Sequence, residues 1–273
     1  MNRLSKERRA QILACLVEGN SIRSTVRITG AAKNTVSKLL KDVGWACAEF
    51  QDSALRNLPC KRLQVDEIWS FCYAKKKNVP PEHQGKLGYG DVWTWVALCA
   101  ETKLAPCWLV GQRDAGWARE FLSDLSDRLT SRVQLTSDGH MAYLEAVDHA
   151  FGQEVDYAQL RKLYGPDPQA ERRYSPPVCV ASRPRPRVGD PDPKHVSRSY
   201  VERQNLTMRM GMRRFTRLTN AFSKKIDNLR HAVSLHFMHY NFCRIHQTLR
   251  VTPAMAAGVS DHLWEIDDIV GLL

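Results

Sequence analysis

Apolar residues recur at helical spacing through the first 43 residues of the chain. A first helix is predicted over residues 6–18, and Gly19-Asn20-Ser21 then supplies a stop followed by an N-cap. A short second helix is predicted next, and the chain turns after it at Thr29-Gly30. A third helix is predicted over residues 33–43, with its apolar side chains facing inward. Three short helices with a glycine-containing turn before the third are typical of a helix-turn-helix, although a plain three-helix cap has the same pattern.

The hydrophobic period changes from helical to strand-like at residue 63. Residues 63–73 are rich in β-branched and aromatic side chains, and residues 92–100 form a near-continuous apolar run, typical of a strand buried on both faces. The next predicted elements are a strand, a helix, a strand and a helix, over residues 106–111, 116–129, 133–136 and 141–150. This order predicts an α/β fold in which a mixed sheet is flanked by helices.

Eight prolines lie between residues 165 and 193, and they predict a long loop because proline interrupts both helices and strand pairing. The loop is equally consistent with a solvated linker and with a segment that grips DNA. Helices are predicted to follow over residues 197–215 and 221–246.

These patterns divide the chain into four parts. Residues 1–48 are predicted to form a small, all-α helix-turn-helix domain, and residues 49–62 a linker. Residues 63–250 are predicted to form the α/β domain, which includes the proline-rich loop, and residues 251–273 a C-terminal tail.

The formal charge of +11 is concentrated at two places. Residues 1–62 contain 12 basic and 5 acidic residues, and residues 194–250 contain 12 basic and 2 acidic residues. The intervening 63–193 is near neutral, with 16 basic and 18 acidic residues. Two basic segments around a near-neutral sheet are the pattern expected if separate surfaces neutralise the phosphates of a nucleic acid.

Cysteine usage and hydropathy exclude several other classes of protein. The eight cysteines are scattered without a C-x-x-C pair, so neither a zinc site nor a disulfide framework is indicated. No stretch approaches the roughly 18 consecutive apolar residues of a membrane helix, and the first residues lack the apolar core of a signal peptide. We therefore expect a cytoplasmic protein with no membrane partner.

Three carboxylates stand in contexts that favour a shared metal site. Asp66 lies in a strand between apolar neighbours, where a lone carboxylate is costly to bury unless a cation is near. Asp138 follows the strand 133–136, and Glu202 lies in a predicted helix and is one of only two acidic residues between 194 and 250. Carboxylates at a strand, a strand end and a helix can converge, and divalent cations relieve their repulsion while polarising a phosphodiester.

Each of these residues also has an ordinary structural interpretation. Asp66 could be a salt-bridged strand residue, Asp138 the N-cap of a helix over 140–150, and Glu202 a surface residue paired with an arginine. Glu67 is interpreted as an outward-facing strand residue rather than as support for the site. Three histidines are weaker candidates, because lone histidines in basic regions more often contact phosphate or solvent than metal, namely His140, His195 and His246.

The predicted helix around Glu202 also presents polar groups suited to DNA. Glu202, Asn205 and Arg209 fall on one helical face at i, i+3 and i+7, where they could lie along a phosphate backbone with Arg209 as a clamp. The full set of candidate DNA-binding residues adds Arg213 and the polar positions of the third helix: Lys33, Asn34, Thr35, Ser37, Lys38 and Lys41.

Three sequence blocks resemble those of a known family. Val65-Asp-Glu-Ile-Trp-Ser-Phe71, Thr136-Ser-Asp-Gly139 and Ser199-Tyr-Val-Glu-Arg-Gln-Asn205 with Arg209 are similar to the catalytic blocks of the DDE transposases of the insertion sequence one family. The later Tyr240-Asn-Phe-Cys-Arg-Ile-His-Gln-Thr-Leu249, with Thr252-Pro-Ala254, resembles the C-terminal signature of these enzymes. The resemblance covers most of residues 60–258.

The resemblance implies a ribonuclease-H-like fold and a site in which Asp66, Asp138 and Glu202 hold two Mg²⁺ or Mn²⁺ ions. It implies metal-dependent DNA cleavage and strand transfer, with double-stranded transposon ends and target DNA as partners. A homodimer or larger oligomer on the nucleoid is also expected. Two alternatives stay open at this point: a DNA-binding regulator derived from a transposase but without activity, and a nuclease of the same fold that cuts without joining.

Overall fold

The computed structural model describes residues 4–165, 178–216 and 219–273. These residues form one mixed six-stranded sheet in the order β3-β2-β1-β4-β5-β6. The strands are β1 (Arg62–Cys72), β2 (Gly90–Cys99), β3 (Trp108–Gly111), β4 (Val133–Ser137), β5 (Val155–Gly165) and β6 (Val178–Val188). The α/β class predicted from the sequence is confirmed.

Helices flank this sheet and connect its strands. They are α1 (Lys6–Val17), α2 (Ile22–Thr29), α3 (Lys33–Ala54), α4 (Ala115–Ser126), α5 (Ala142–Phe151), α6 (Ser199–Gly211), α7 (Ile226–Met238), α8 (Pro253–Ala256) and α9 (Ile266–Gly271). Among the helices of the described residues, none combines the length and the apolar character needed to cross a bilayer.

The central strands are covered on both faces. β1, β2 and β3 pair antiparallel, whereas β1 pairs with β4, and β4 with β5, in parallel. The parallel pair β4 and β5 is connected through α5, because parallel neighbours need a crossover element. β5 was not predicted from the sequence, although its residues Val155 and Tyr157 are fully buried. One continuous core therefore extends across the middle of the sheet.

The third helix is longer than its predicted range of 33–43, because α3 runs to Ala54. It packs along α7, and Gly44 lies where the two helices approach most closely: a Cβ at this position would be 2.6 Å from the His231 Cα. Apolar residues of α1 and α3 belong to the same buried cluster as those of the sheet. Residues 49–54, predicted as the start of a linker, are thus helical, while the division of the chain into domains stays a prediction.

The predicted loop at residues 165–193 is wrong in part, because Val178–Val188 forms β6, antiparallel to β5. Among the described strands, β6 lies at the edge of the sheet and pairs with β5 alone. Alternate N–H groups of an edge strand have no partner in the sheet, so Pro184 and Pro186, two residues apart, break no ladder. Pro186 also lies beside an irregularity in the register at Tyr157 and Ala158. The part of the predicted loop at residues 166–177 lies outside the described residues.

Tyr240 and Asn241 form hydrogen bonds with the turn between β2 and β3. The Asn241 amide accepts a hydrogen bond from the Ala105 backbone N–H and donates one to its carbonyl, both at 3.0 Å. The Tyr240 hydroxyl donates to the Lys103 carbonyl at 2.8 Å. The helix that was predicted over 221–246 is shorter in the structure: α7 begins at Ile226 and ends at Met238, and a π-helical turn follows at His239–Cys243. The helix predicted over 197–215 is likewise shorter, as α6.

Candidate active site

Neighbouring parallel strands bring Asp66 and Asp138 together. Gln64 of β1 pairs with Thr136 of β4, so continuing this register by two residues places Asp66 beside Asp138, where β4 has ended. The Asp138 Oδ1 accepts a hydrogen bond from the His140 N–H at 2.8 Å. Asp138 does not cap α5, whose N-cap residue is Met141 and makes no side-chain capping bond. The helix-capping interpretation of Asp138 is therefore wrong.

The guanidinium of Arg198 joins all three predicted carboxylates. It lies 3.1 Å from the Asp66 carboxylate, 2.9 Å from that of Glu202 and 3.8 Å from that of Asp138. Glu202 accepts a second charged hydrogen bond from Lys162 on β5, at 2.7 Å. The ordinary interpretations of Asp66 and Glu202 as ion-paired residues thus hold in this structure. Arg198 is a partner that both residues share, and it lies within a cluster of carboxylates.

Glu67 is buried beside the same cluster, so its interpretation as an outward-facing residue is wrong. Only 2% of its side chain is exposed, and it pairs with Arg113 at 3.1 Å. Asp66, Glu67 and Asp138 each offer a carboxylate oxygen within 4.8 Å of the others, which makes them a possible metal-binding group. Strand β1 lies inside the sheet with both faces covered, and for this reason a charged residue on either face is enclosed.

Burial disfavours the charged forms of two carboxyls in this cluster. Burial, and then the charges of Asp138 and Glu202, raise the pKa of Asp66 to about 6 against the opposing effect of Arg198. Burial also raises the pKa of Glu67 to about 7, with the Asp138 charge adding to the rise and Tyr143 and Arg113 opposing it. Their ionised forms are therefore costly in this buried position unless a cation compensates them.

Several buried polar atoms around the cluster lack a hydrogen-bond partner. Among the described residues they include the Oε1 of Glu67, the Oδ1 of Asn205 and the Nε of Arg198. Unsatisfied buried oxygens beside carboxylates are the donors that a hard divalent cation prefers. The residues present therefore fit a divalent metal ion.

Asn205 contacts the site rather than solvent. The sequence analysis placed it on a DNA-facing surface, whereas it is 4% exposed and its amide donates to the Asp66 Oδ2 at 3.0 Å. An amide at i+3 from Glu202 lies on the inner side of α6 because that side packs on β1. Asn205 thus orients the Asp66 carboxylate, and its burial does not support direct contact with DNA.

The other candidate residues lie on the surface. Arg209 and Arg213 are exposed, as are four polar side chains of α3, Lys33, Asn34, Lys38 and Lys41, while Thr35 and Ser37 are half-buried. Of the three histidines, His140 lies next to Asp138, and its Nδ1 accepts a hydrogen bond from the Ala142 N–H at 3.1 Å. His195 contacts Arg62, and His246 contacts Thr248 at 3.0 Å, so neither reaches the carboxylates.

An open pocket of about 470 Å³ leads to Asp138 and Arg198. Its walls carry a high density of cations, contributed by Arg113, Arg161, Lys162 and Arg198. Sequence analysis did not single out these four residues. Only Arg198 had a local signal, since it precedes Glu202 by four residues and this spacing favours an ion pair within a helix.

Comparisons with known proteins add little to this geometry. No known family model matches the chain. A search of curated proteins gives no match either. Among solved structures, the crystal structure of the Mos1 strand transfer complex is similar at 14% sequence identity with a TM-score of 0.22, over 54% of this chain and 56% of that chain. The match spans only about half of that protein's length, and a likeness this weak carries no weight for function.

Proposed function

We propose that this protein is a DNA transposase with a ribonuclease-H-like fold, and that it cleaves DNA and joins the cut end to a target. Asp66, Asp138 and Glu202 are its catalytic carboxylates. The observation that supports this most strongly is their convergence on the Arg198 guanidinium from a strand, a strand end and a helix. A cation is already needed to hold these three side chains together in the folded chain.

The same carboxylates would hold two Mg²⁺ or Mn²⁺ ions, with the buried Oδ1 of Asn205 and Oε1 of Glu67 as neighbouring oxygens. Bound divalent ions would supply Lewis acidity at a phosphodiester, both for the attacking hydroxyl and for the leaving oxygen. Asn205 holds the Asp66 carboxylate in one orientation, and Arg113 holds Glu67.

The chain's own cations prepare the pocket for a phosphodiester. Arg113, Arg161 and Lys162 line its walls on the side of Asp138, where they would attract and position a DNA phosphate. Lys162 also bonds Glu202 and so couples the wall of the pocket to the carboxylates. Arg209, Arg213 and the exposed polar side chains of α3 are proposed to contact DNA outside the pocket, in a homodimer or larger oligomer.

A strand-transfer assay tests this function. The substrate is a labelled duplex that carries an inverted repeat from the DNA flanking the gene, offered with a supercoiled plasmid and Mg²⁺ or Mn²⁺. A transposase joins the labelled duplex to the plasmid, and this product forms only when the metal ion is present. Cut ends without joined product would instead show a nuclease, and DNA binding without any cleavage would show a regulator.

Metal affinity is expected to rise when Arg198 is replaced by Met. The guanidinium sits among the carboxylates, so it repels a divalent ion, and removing one positive charge at this distance should strengthen Mn²⁺ binding about tenfold or more. Isothermal titration calorimetry measures the affinity directly. Arg119→Met, which removes a cation paired with Glu145 on the surface, is the matched control. Equal or weaker Mn²⁺ binding by the Arg198 variant would contradict competition at this site.

Metal binding is expected to weaken as the pH falls. The carboxyls of Asp66 and Glu67 have pKa values raised to about 6 and about 7, so they must release protons before they bind Mn²⁺. The affinity should fall by about tenfold per pH unit between pH 7 and pH 6, and by about 100-fold per unit below pH 6, where both carboxyls are protonated. The folding stability of the metal-free protein has the opposite pH dependence. The raised pKa values stabilise the fold at low pH, and this contribution is lost as pH rises through 6 to 7.

Calorimetric titrations between about pH 8 and pH 5.5, together with thermal melts of the metal-free protein, measure both trends. The double variant Asp66→Asn with Glu67→Gln carries no titrating carboxyl at these positions, so its melting temperature should depend less on pH. A wild-type Mn²⁺ affinity that stays constant over this range would show that neither carboxyl is a ligand.

A further inference from the structure

A second, larger groove lies between the N-terminal helices and the segment that follows α6. Its volume is about 920 Å³, and it is lined by residues from the end of α1, from α2 and the turn before it, from the first half of α3, from 211–214 and 219–225, and from α7. None of the lining residues is acidic. Seven of them are basic: Arg23, Arg27, Lys33, Arg213, Arg214, Lys224 and Lys225. A groove with this charge distribution attracts a polyanion and holds no anion of its own among the described residues.

Arg214 is a cation of this groove whose charge the described residues do not balance. Its guanidinium is half-buried and donates to the Ser223 hydroxyl at 2.6 Å. Among the described residues, no carboxylate forms an ion pair with it. Burial lowers the pKa of Arg214, which means that its charged form pays for desolvation. An anion bound in the groove would offset this penalty.

The groove also divides the polar side chains of α3 into two sets. Lys33 and Ser37 line it, whereas Lys38 and Lys41 are exposed and are not among its lining residues. Lys38 is already paired with Asp42, in an ion pair between residues four apart. Arg23, Arg27 and Lys33 line the groove, and none of the ion pairs among the described residues includes them.

We propose that this groove binds the sugar-phosphate backbone of double-stranded DNA, independently of base sequence. Arg23 and Arg27 of α2 would hold one side of the backbone, and Arg214 and Lys225 the other. Guanidinium groups pair with phosphate through two parallel hydrogen bonds, which suits a groove with four arginines. The N-terminal helices and the part of the chain that carries the carboxylates thus grip the same DNA. This deepens the proposed function by naming the surface that holds its substrate.

Binding of a random-sequence duplex of about 30 base pairs tests the groove, by fluorescence anisotropy in EDTA over a series of KCl concentrations. The double variant Arg27→Ala with Lys225→Ala removes one cation from each side. It should bind at least tenfold more weakly at low salt, and the slope of log affinity against log salt should fall by about two, one for each lost phosphate contact. Lys76→Ala with Lys77→Ala removes the same charge from an exposed site elsewhere and is the control for net charge.

Two further variants test whether DNA binds in the groove rather than on the outer side of α3. Lys38→Ala with Lys41→Ala changes the outer side of α3, where Lys38 is already paired with Asp42, and should lose less affinity for random DNA than the groove variant does. Arg214→Gln should weaken DNA binding without lowering the melting temperature of the free protein, because it removes a desolvated and unpaired cation. Equal losses in the groove and control variants, or an unchanged salt slope in the groove variant, would overturn the proposal.

Two further outcomes separate DNA from other anionic ligands, and separate this test from the test of the proposed function. Vesicles with anionic headgroups that compete with DNA for the wild-type groove and bind more tightly would overturn the assignment to DNA. The binding assay contains no metal, so it can succeed even if the protein neither cuts nor joins DNA. Conversely, groove variants that carry out strand transfer and bind DNA as the wild type does would refute the groove proposal and leave the proposed function standing.

Discussion

Replacing Asp138 by Asn is expected to abolish both DNA cleavage and strand transfer. Asn keeps the shape of the side chain and can still accept a hydrogen bond from the His140 N–H, but it removes a charge from the cluster with Asp66. Stabilisation of charge by metal ions in the transition state is worth several kcal/mol, so activity should fall by roughly 1000-fold or more. Gel assays of cut and joined products measure both steps.

DNA binding in EDTA should be unchanged in this variant, because the basic groove does not include Asp138. Calorimetry should show weaker Mn²⁺ binding, and the thermal melt should show a folded protein. Cleavage at more than about a tenth of the wild-type rate would contradict a role for Asp138 as a metal ligand.

The third ligand can be identified by comparing two glutamates. Glu202 is joined to Asp66 through Arg198, whereas Glu67 belongs to the tight cluster with Asp66 and Asp138. If Glu202 is the third catalytic carboxylate, Glu202→Gln should lose as much activity as Asp138→Asn. Glu67→Gln should then lose less, because Glu67 would only support Asp66 and Arg113 from the adjacent position. The reverse order of losses would assign the catalytic role to Glu67.

The second large effect is expected on stability, when Gly44 is replaced by Ala. Within an isolated helix this change is favourable by about 1 kcal/mol. Here the added Cβ would lie 2.6 Å from the Cα and carbonyl oxygen of His231, so that α3 and α7 must move apart. Overpacking typically costs 1 to 3 kcal/mol, and the contact with backbone places this site at about 3 kcal/mol of destabilisation.

Chemical denaturation and thermal melts measure the effect. Gly271→Ala in α9 is the matched control, because its Cβ would meet nothing within 4 Å. It should be neutral or slightly stabilising. An unchanged unfolding free energy for Gly44→Ala would show that the contact between α3 and α7 is looser than the structure describes.

The sequence alone determined the class of fold and the position of two carboxylates. Apolar runs and their period depend on burial, which is a property of each residue and its near neighbours, so β1, β2, β3, β4 and most helices were predictable. Asp66 was recognisable because a carboxylate within an apolar strand needs a cation. Asp138 was recognisable because it follows a strand end. Both inferences need only a few consecutive residues.

Only the tertiary structure decided what surrounds these two residues. Arg198, 132 residues from Asp66 along the chain, and Lys162 of β5 are brought to the carboxylates by strand and helix packing, which no local pattern encodes. The burial of Glu67 follows from the inner position of β1 in the sheet. The inward side of α6, and with it the role of Asn205, was fixed by contact with β1.

The same distinction explains the errors in the sequence-based elements. Proline composition predicted a loop where β6 forms, because composition does not show that a strand lies at the edge of a sheet, where prolines are tolerated. The period of α3 ended at residue 43 in the sequence, yet the helix continues because α7 covers its second half. Local sequence reports which stretches of the chain are apolar, whereas the burial of a polar residue such as Glu67, and the groups around it, depend on contacts between distant parts of the chain.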